Sequence, residues 1–424
     1  MANTISAFQD IYLAAGLRTP FTKGGGALVG ETTMSLSIPV AQAMANKGRP
    51  DALIWGQVIP DPTQSNIARE LVYEAGLDPT IPAFSTVLAC SSSFVGMIQA
   101  AGMIGHGGMN LILVGGAETM SHLPIALKAP VADKIISTFA HDPDAALKAI
   151  DALTADDFLL PIHGWANKQS GRSQGEHTED TAKTYAISRE DQDKRSYLSH
   201  MGALKGQDEG FFKDLIVPVA GVDHDMIPRR DTSLEKLAKL PPVFDRTSGK
   251  GTITAGNASP ITDGAASLWV GDTEGLKRIG NPPAVRLVDW EVAAMRYSEE
   301  GILMAPARAI PRLLARHGLR FEDIQLWEIH EAFAAQVLAN IKAASDPAYR
   351  RAKAGVDFDL GDFPWDRVNP HGGSLSIGHP FAATGARILS QATKELAGMA
   401  SGSRAIVSVC ADGGQGTVAL LQAR

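Results

Sequence analysis

The residues best placed to do chemistry are two thiols and two imidazoles. Cys90 lies in Val87-Leu88-Ala89-Cys90-Ser91-Ser92-Ser93, where a strand pattern gives way to a helix pattern. A thiol at a helix N-terminus has its thiolate stabilised by the helix dipole and by free backbone N–H groups, which can also hold an oxyanion. His379 precedes Pro380, a residue suited to the first helical position, so its ring projects from the loop before a helix and is placed to accept a thiol proton. Cys410 closes a strand and is followed by Ala411-Asp412-Gly413-Gly414, a turn whose glycines allow close approach. His330, in His330-Glu331-Ala332-Phe333, also follows a strand and lacks the second His of a zinc-protease helix, so it gives little support to a metal site. Each of these residues alone reads equally well as a core cysteine or a hydrogen-bonded histidine. Their company points to nucleophilic catalysis by a thiol with an imidazole base.

The elements that must position them alternate between short apolar strands and helical patterns, which predicts an α/β fold. Strands are expected at Leu53–Val58, Leu111–Val114, Leu326–Ile329 and Ala405–Val409. Two segments read as copies of one unit. A turn at Cys90 opens a helix through Phe94, Ile98 and Ala101, with a strand from Leu111 following. His379-Pro380 opens a helix through Ile388, Ala392 and Leu396, with a strand from Ala405 following. Asp51-Ala-Leu-Ile-Trp55 likewise matches Asp323-Ile-Gln-Leu-Trp327. Between the copies the texture changes. Asp142-Pro143 reads as a helix start carrying Leu147, Ile150 and Leu153 on one face, and Thr154 with Asp157 reads as a capping box. His163 to His177 is polar, Thr181 to Leu204 is a charged helical stretch, and Pro218 to Pro242 is irregular with the basic pair Arg229-Arg230. This region is expected to be a lid-like insertion packed on both halves, and the helix pair near Asp142–Leu160 an ordinary packed one.

Composition narrows the class. The 424 residues are 45% hydrophobic and 20% charged, with 39 basic against 46 acidic side chains, which describes an ordinary globular chain and argues against nucleic acid as the main partner. Two cysteines provide neither a disulfide framework nor a Cys-based zinc site, and fit a reducing compartment. No secretory pattern, membrane-length apolar run or peroxisomal C-terminus is visible, so the expected location is cytoplasmic. Dinucleotide-binding, phosphate-loop and Gly-x-Ser-x-Gly motifs are absent.

Cys90 in its Leu-Ala-Cys-Ser-Ser setting, His330-Glu-Ala-Phe, Gly378-His379-Pro380 and Cys410-Ala-Asp-Gly-Gly, in that order, resemble the thiolase family. Gly256-Asn257-Ala258-Ser259, Asp263-Gly264-Ala265-Ala266 and Arg18-Thr19-Pro20-Phe21 add to the likeness, which spans nearly the whole chain. His-Glu-Ala-Phe, where most thiolases have Asn in place of the His, is similar to the thiolase β-subunits of fatty-acid oxidation complexes. The resemblance implies a thiolase fold: duplicated α/β halves in a five-layer α-β-α-β-α core, with residues 1–120 and 256–280 as the first half, 121–255 as an inserted loop domain and 281–424 as the second half.

It also implies degradative 3-ketoacyl-CoA thiolase activity by a ping-pong route. Cys90 would be the acylated nucleophile, His379 its activator, Cys410 the second acid/base, and His330 the holder of an oxyanion-hole water. The backbone N–H groups of Cys90 and Asp412 would form the other oxyanion hole, and Ser259, Ala332 and Phe333 would line the pantetheine channel. Acyl-CoA and CoA are the implied substrates, with no cofactor and no metal. A homodimer or tetramer is implied, with a hydratase/dehydrogenase subunit as a possible partner. The alternatives are a biosynthetic acetoacetyl-CoA thiolase and a non-catalytic thiolase-like lipid-binding protein. Two departures stand out: Asp412 where a Gly is usual, its side chain expected to point away, and Gln174 where Met is often found.

Overall fold

The computed structural model describes residues 10–159 and 166–424. Leu160 and the start of the polar stretch at His163 lie outside the described residues. The main sheet is built from β1 (Tyr12–Arg18), β2 (Ala52–Gly56), β3 (Ala83–Thr86), β4 (Leu111–Glu118), β5 (Thr262–Gly271), β6 (Ala284–Ala294), β7 (Leu326–Ile329), β8 (Arg404–Ala411) and β9 (Gln415–Ala423). Their order is β7-β8-β9-β6-β1-β5-β4-β2-β3, and Thr22–Lys23 adds a short tenth strand beside β5.

The duplication expected from sequence is present in the pairing. β2 and β4 run parallel and β4 and β5 antiparallel. In the second half β7 and β8 run parallel and β8 and β9 antiparallel. The matched segments beginning at Asp51 and Asp323 lead into β2 and β7, the equivalent strands. The halves join where Tyr12, Leu13 and Ala14 of β1 pair with Arg286, Val285 and Ala284 of β6.

Two helices, α3 (Ser92–Gly105) and α10 (Thr384–Ala397), form the middle layer. Phe94, Met97 and Ile104 share one core with Ile388, Leu389 and Leu396, and with both sheets through Val114, Leu268, Val407 and Val409. α10 is therefore buried on every side, including Arg387 and Gln391. The outer layers are α1 (Thr33–Ala45) with α2 (Ile67–Glu74), and α8 (Pro306–Arg316) with α9 (Ala334–Ser345), each over its own core. The central helices approach closely because Gly385 faces Phe94: a Cβ there would lie 2.5 Å from the Phe94 backbone nitrogen. That approach brings the two helix starts, and the reactive loops before them, together.

The insertion carries α4 (Ala129–Phe139), α5 (Pro143–Asp151), α6 (Gln174–Thr184) and α7 (Arg189–Asp208). Buried ion pairs clamp it to both halves. Asp225 takes a two-pronged bond from Arg18 of β1, both at 2.6 Å, and Arg195 of α7 meets Glu331 at 3.2 Å. The charged stretch read as one helix is two, because Ala186 adopts φ 46° and Ser188 caps a new start by accepting from the Asp191 N–H. Asp142 and the Thr154–Asp157 box cap as expected. The α4–α5 pair departs from expectation: α4 buries no residue, and Ile136 and Phe139 are 67% and 59% exposed.

Candidate active site

Cys90 stands at the turn from β3 into α3, held by a backbone under strain. Ala89 has φ 45°, a conformation costing a non-glycine residue about 1–2 kcal/mol. The turn is locked by Ser92, whose hydroxyl accepts from the Leu88 N–H at 2.9 Å and donates to the Ala89 carbonyl at 2.8 Å. Ser91 reaches across to the other half, within 3.1 Å of the Thr417 hydroxyl.

His379 enters from the second half, its N–H donating to the Thr262 hydroxyl at 2.9 Å. Pro380 is not the first residue of the following helix. It is extended (ψ 104°), a 3-10 turn spans Phe381–Ala383, and α10 begins at Thr384. The offset places the Thr384 hydroxyl 2.6 Å from His379 Nδ1, while that hydroxyl donates to the Pro380 carbonyl at 3.1 Å. Having one proton, already given away, Thr384 must accept from Nδ1–H. Nε2 of His379 therefore carries the lone pair, and it lies 3.1 Å from Cys90 Sγ.

His330 follows β7, its N–H donating to the Ser408 carbonyl at 2.8 Å. Its Nδ1 lies 2.8 Å from the Ser374 hydroxyl, which also receives Arg387 Nη2 at 2.9 Å. Arginine only donates, so Ser374 keeps its own proton for His330 Nδ1, and in that tautomer Nε2 carries the N–H. That Nε2 is buried and unpartnered among the described residues. Its ring centroid is 4.2 Å from that of His379. Ligand-type atoms of Cys90, His330 and His379 lie within 4.8 Å of one another.

The electrostatics correct one expectation. Burial, then the Asp412 carboxylate, push the Cys90 thiol up to about 12, against the backbone N–H groups of Cys90 and Asp412 that favour the thiolate. Desolvation outweighs the helix start, and the resting group is a neutral thiol. Burial and the Arg387 guanidinium push His379 down to about 3, so its imidazole is neutral as well. His330 is held well below the ordinary range by burial, His379 and Arg387. Cys410, buried at the end of β8, is raised by burial and then by Cys90, and the Ser91 hydroxyl next to Cys90 donates to the carbonyl of Val409, the residue before Cys410, at 3.3 Å.

Cys90 opens onto a cavity of about 270 Å³ walled by Val58, Ile59, Leu123 and Phe381, with Gln174 and Asp412 as its polar lining. The expectation that the Asp412 side chain points away is overturned. Asp412 lines the same cavity as Cys90 with its Oδ1 buried, directly before Gly413 and Gly414 at φ 82° and 75°. A second groove, of about 500 Å³, holds Ser259 beside Phe244 and Leu240, with Lys23, Arg229 and Lys236 along it. Ala332 and Phe333 stand behind that groove: Ala332 accepts from the Ser259 N–H at 2.9 Å, and Phe333 packs edge-on against Phe244. A larger cavity of about 650 Å³, between α7 and α9, contains none of the four reactive residues.

Sequence reasoning missed Thr384, Ser374, Arg387 and Glu118. Glu118 accepts from the N–H groups of Val58, Ile59 and Ala382, tying the cavity wall to the His379 loop, and burial raises its carboxyl to about 7. A clue to Thr384 was present in its spacing, five residues after His379.

The two halves that meet at this thiol–imidazole couple each match a known family domain. "Thiolase, N-terminal domain" matches residues 11–274 and "Thiolase, C-terminal domain" residues 281–423, and the chain belongs to the thiolase family. Within it, the chain is 35% identical to a 3-ketoacyl-CoA thiolase of Colwellia psychrerythraea, over 99% of this chain and 98% of that one. It is 34% identical to a 3-ketoacyl-CoA thiolase of Yersinia pestis, over 97% and 96%. Similar solved structures include the Bacillus anthracis acetyl-CoA acetyltransferase (TM-score 0.81, 30% identity, 99% of this chain and 100% of that one). Human mitochondrial 3-ketoacyl-CoA thiolase is another (TM-score 0.79, 26% identity, 99% and 100%).

Proposed function

We propose that this thiolase-family acyltransferase cleaves 3-ketoacyl-CoA with CoA, giving acetyl-CoA and a shortened acyl-CoA. The observation that carries the reading is the Cys90 thiol facing the unprotonated Nε2 of His379 at 3.1 Å, beside a buried donor on His330. Cys90 passes its proton to His379 as its sulfur attacks the keto carbon. The backbone N–H groups of Cys90 and Asp412 hold the oxyanion formed there. The carbon–carbon bond then breaks, leaving the acyl group on Cys90 and an acetyl-CoA enolate. Protonated His379 and a water held by His330 stabilise the enolate oxygen, the role that the resemblance implies; the unpartnered His330 Nε2 supports it. Cys410 gives its proton to the enolate carbon and recovers it from incoming CoA. The CoA thiolate takes the acyl group, and Cys90 regains its proton from His379.

All bond changes are nucleophilic or acid–base, so the chemistry calls for no metal or redox cofactor; CoA is a substrate. The groove with Ser259 suits pantetheine, and Lys23, Arg229 and Lys236 suit phosphates. The reading extends to a cytoplasmic homodimer or tetramer, with a hydratase/dehydrogenase subunit as partner in a fatty-acid oxidation complex. Among the described residues no helix is long and apolar enough to cross a membrane. The test is thiolysis of 3-ketoacyl-CoA of increasing chain length. Activity that persists beyond acetoacetyl-CoA supports the degradative reading. A steep fall after it favours a short-chain acetoacetyl-CoA enzyme, and no turnover with any chain favours a non-catalytic lipid-binding protein.

A further inference from the structure

The cavity beside Cys90 is apolar except at one end. Val58, Ile59, Leu123 and Phe381 suit a hydrocarbon, but Gln174 and Asp412 face the same space. Oδ1 of Asp412 is buried and has no hydrogen-bond partner among the described residues. A buried carboxylate oxygen left unpaired is costly, and few native groups are left so without a reason. The positions of the two residues fit a common purpose. Gln174 opens α6 in the insertion and Asp412 follows β8 in the second half, so two separate parts of the chain bring polar groups to one wall.

We propose that the acyl group this enzyme takes carries a hydrogen-bond donor, a hydroxyl, which Asp412 accepts and Gln174 helps to orient, so that the substrates are hydroxylated 3-ketoacyl-CoA thioesters. This inference rests on the thiolysis reading above and specifies its substrate. A site built to bond a substrate hydroxyl discriminates strongly against an analogue lacking it, because its own buried polar group is then left unpaired. A second effect runs in the same direction. The Asp412 carboxylate opposes negative charge on Cys90, and a hydroxyl donated to it weakens that opposition as the sulfur attacks. Selection should therefore appear in kcat as well as in KM.

The experiment compares the thiolysis of 3-keto-3-phenylpropanoyl-CoA with its meta- and para-hydroxyphenyl and methoxyphenyl analogues, whose substituents cannot close onto the keto group. 8-Hydroxy-3-ketooctanoyl-CoA and its unsubstituted parent form an aliphatic arm. All are assayed with the wild-type protein, Asp412→Ala and Gln174→Met. The expected result is a kcat/KM at least tenfold higher for a hydroxyl compound than for both its parent and its methoxy analogue in the wild type. In Asp412→Ala the hydroxyl preference is lost and turnover of the parent rises. Gln174→Met reduces the preference less. The arm showing the larger ratio identifies an aromatic or an aliphatic acyl group. Turnover of every compound with ratios near one, unchanged in Asp412→Ala, overturns the inference and leaves thiolysis standing. No CoA-dependent cleavage of any compound overturns both.

Discussion

Thr384 decides which nitrogen of His379 is basic. Its hydroxyl proton goes to the Pro380 carbonyl, its oxygen receives Nδ1–H at 2.6 Å, and the lone pair on Nε2 is left facing Cys90 Sγ. The relation is local, spanning five residues, and exists because α10 starts four residues later than Pro380 would allow. Thr384→Val keeps the shape and removes the acceptor. Its kcat should fall by about 10²-fold with little change in KM, and Thr384→Ser should restore most of it. Steady-state kinetics of the two variants check this; equal activity in both would detach the threonine from catalysis.

Covalent chemistry should be confined to one sulfur. Cys90→Ser should give no acyl adduct on incubation with 3-ketoacyl-CoA, with a melting temperature close to the parent's because the change is nearly isosteric. Intact-mass and peptide mass spectrometry read the result, and an adduct mapped to Cys410 or elsewhere would refute the assignment.

Cys410 acts on the departing enolate and on incoming CoA. Cys410→Ala should therefore still become acylated, slowly, while losing steady-state turnover by about 10²–10⁴-fold. Single-turnover and multiple-turnover rates separate the two steps. Normal turnover in this variant would take Cys410 out of the cycle.

His330 works through a donated N–H, which an asparagine side chain also has. His330→Asn should retain more activity than His330→Ala, the latter losing about 10²-fold or more in kcat, as for other removed oxyanion donors. Comparable losses in both would show that the imidazole contributes something other than a donor.

The buried imidazoles also give a pH signature. His379 is pushed down to about 3 and His330 lies well below its ordinary value. His379 is neutral in the fold at pH 5, where it is largely protonated in the unfolded chain, and His330 is shifted in the same direction. The profile of kcat/KM should thus show no acid limb near pH 6.5. Lowered folded values mean that their contribution to stability is present above about 6.5 and is lost as pH falls through the range below it, at up to about 1.4 kcal/mol per pH unit for each histidine. Denaturant titrations from pH 7.5 to 5 measure the slope, and His330→Asn should reduce it.

Much of the framework was legible because it is local. β7 runs from Leu326 to Ile329 as its pattern predicts, and the turn at Cys90 opens α3 through Phe94. Other features depend on distant partners and left no periodic trace. β2 was expected to reach Val58 but ends at Gly56, since the Val58 and Ile59 N–H groups are drawn off to Glu118. α10 carries Arg387 and Gln391 between the apolar positions Ile388, Ala392 and Leu396 that were legible. Only its place between the two halves of the main sheet buries them and brings Arg387 onto Ser374, the hydroxyl beside His330. The burial of Asp412 Oδ1 beside Cys90 and the exposure of Ile136 and Phe139 on α4 likewise depend on how distant segments meet.

Of the four reactive side chains, the first half supplies only Cys90, and the main sheet passes from one half to the other through a three-pair ladder near Leu13 and Val285. Catalysis is therefore a gauge of alignment between the two halves. A small slide of one past the other already parts sulfur from nitrogen. Under heat or denaturant, such a protein falls silent before it comes apart.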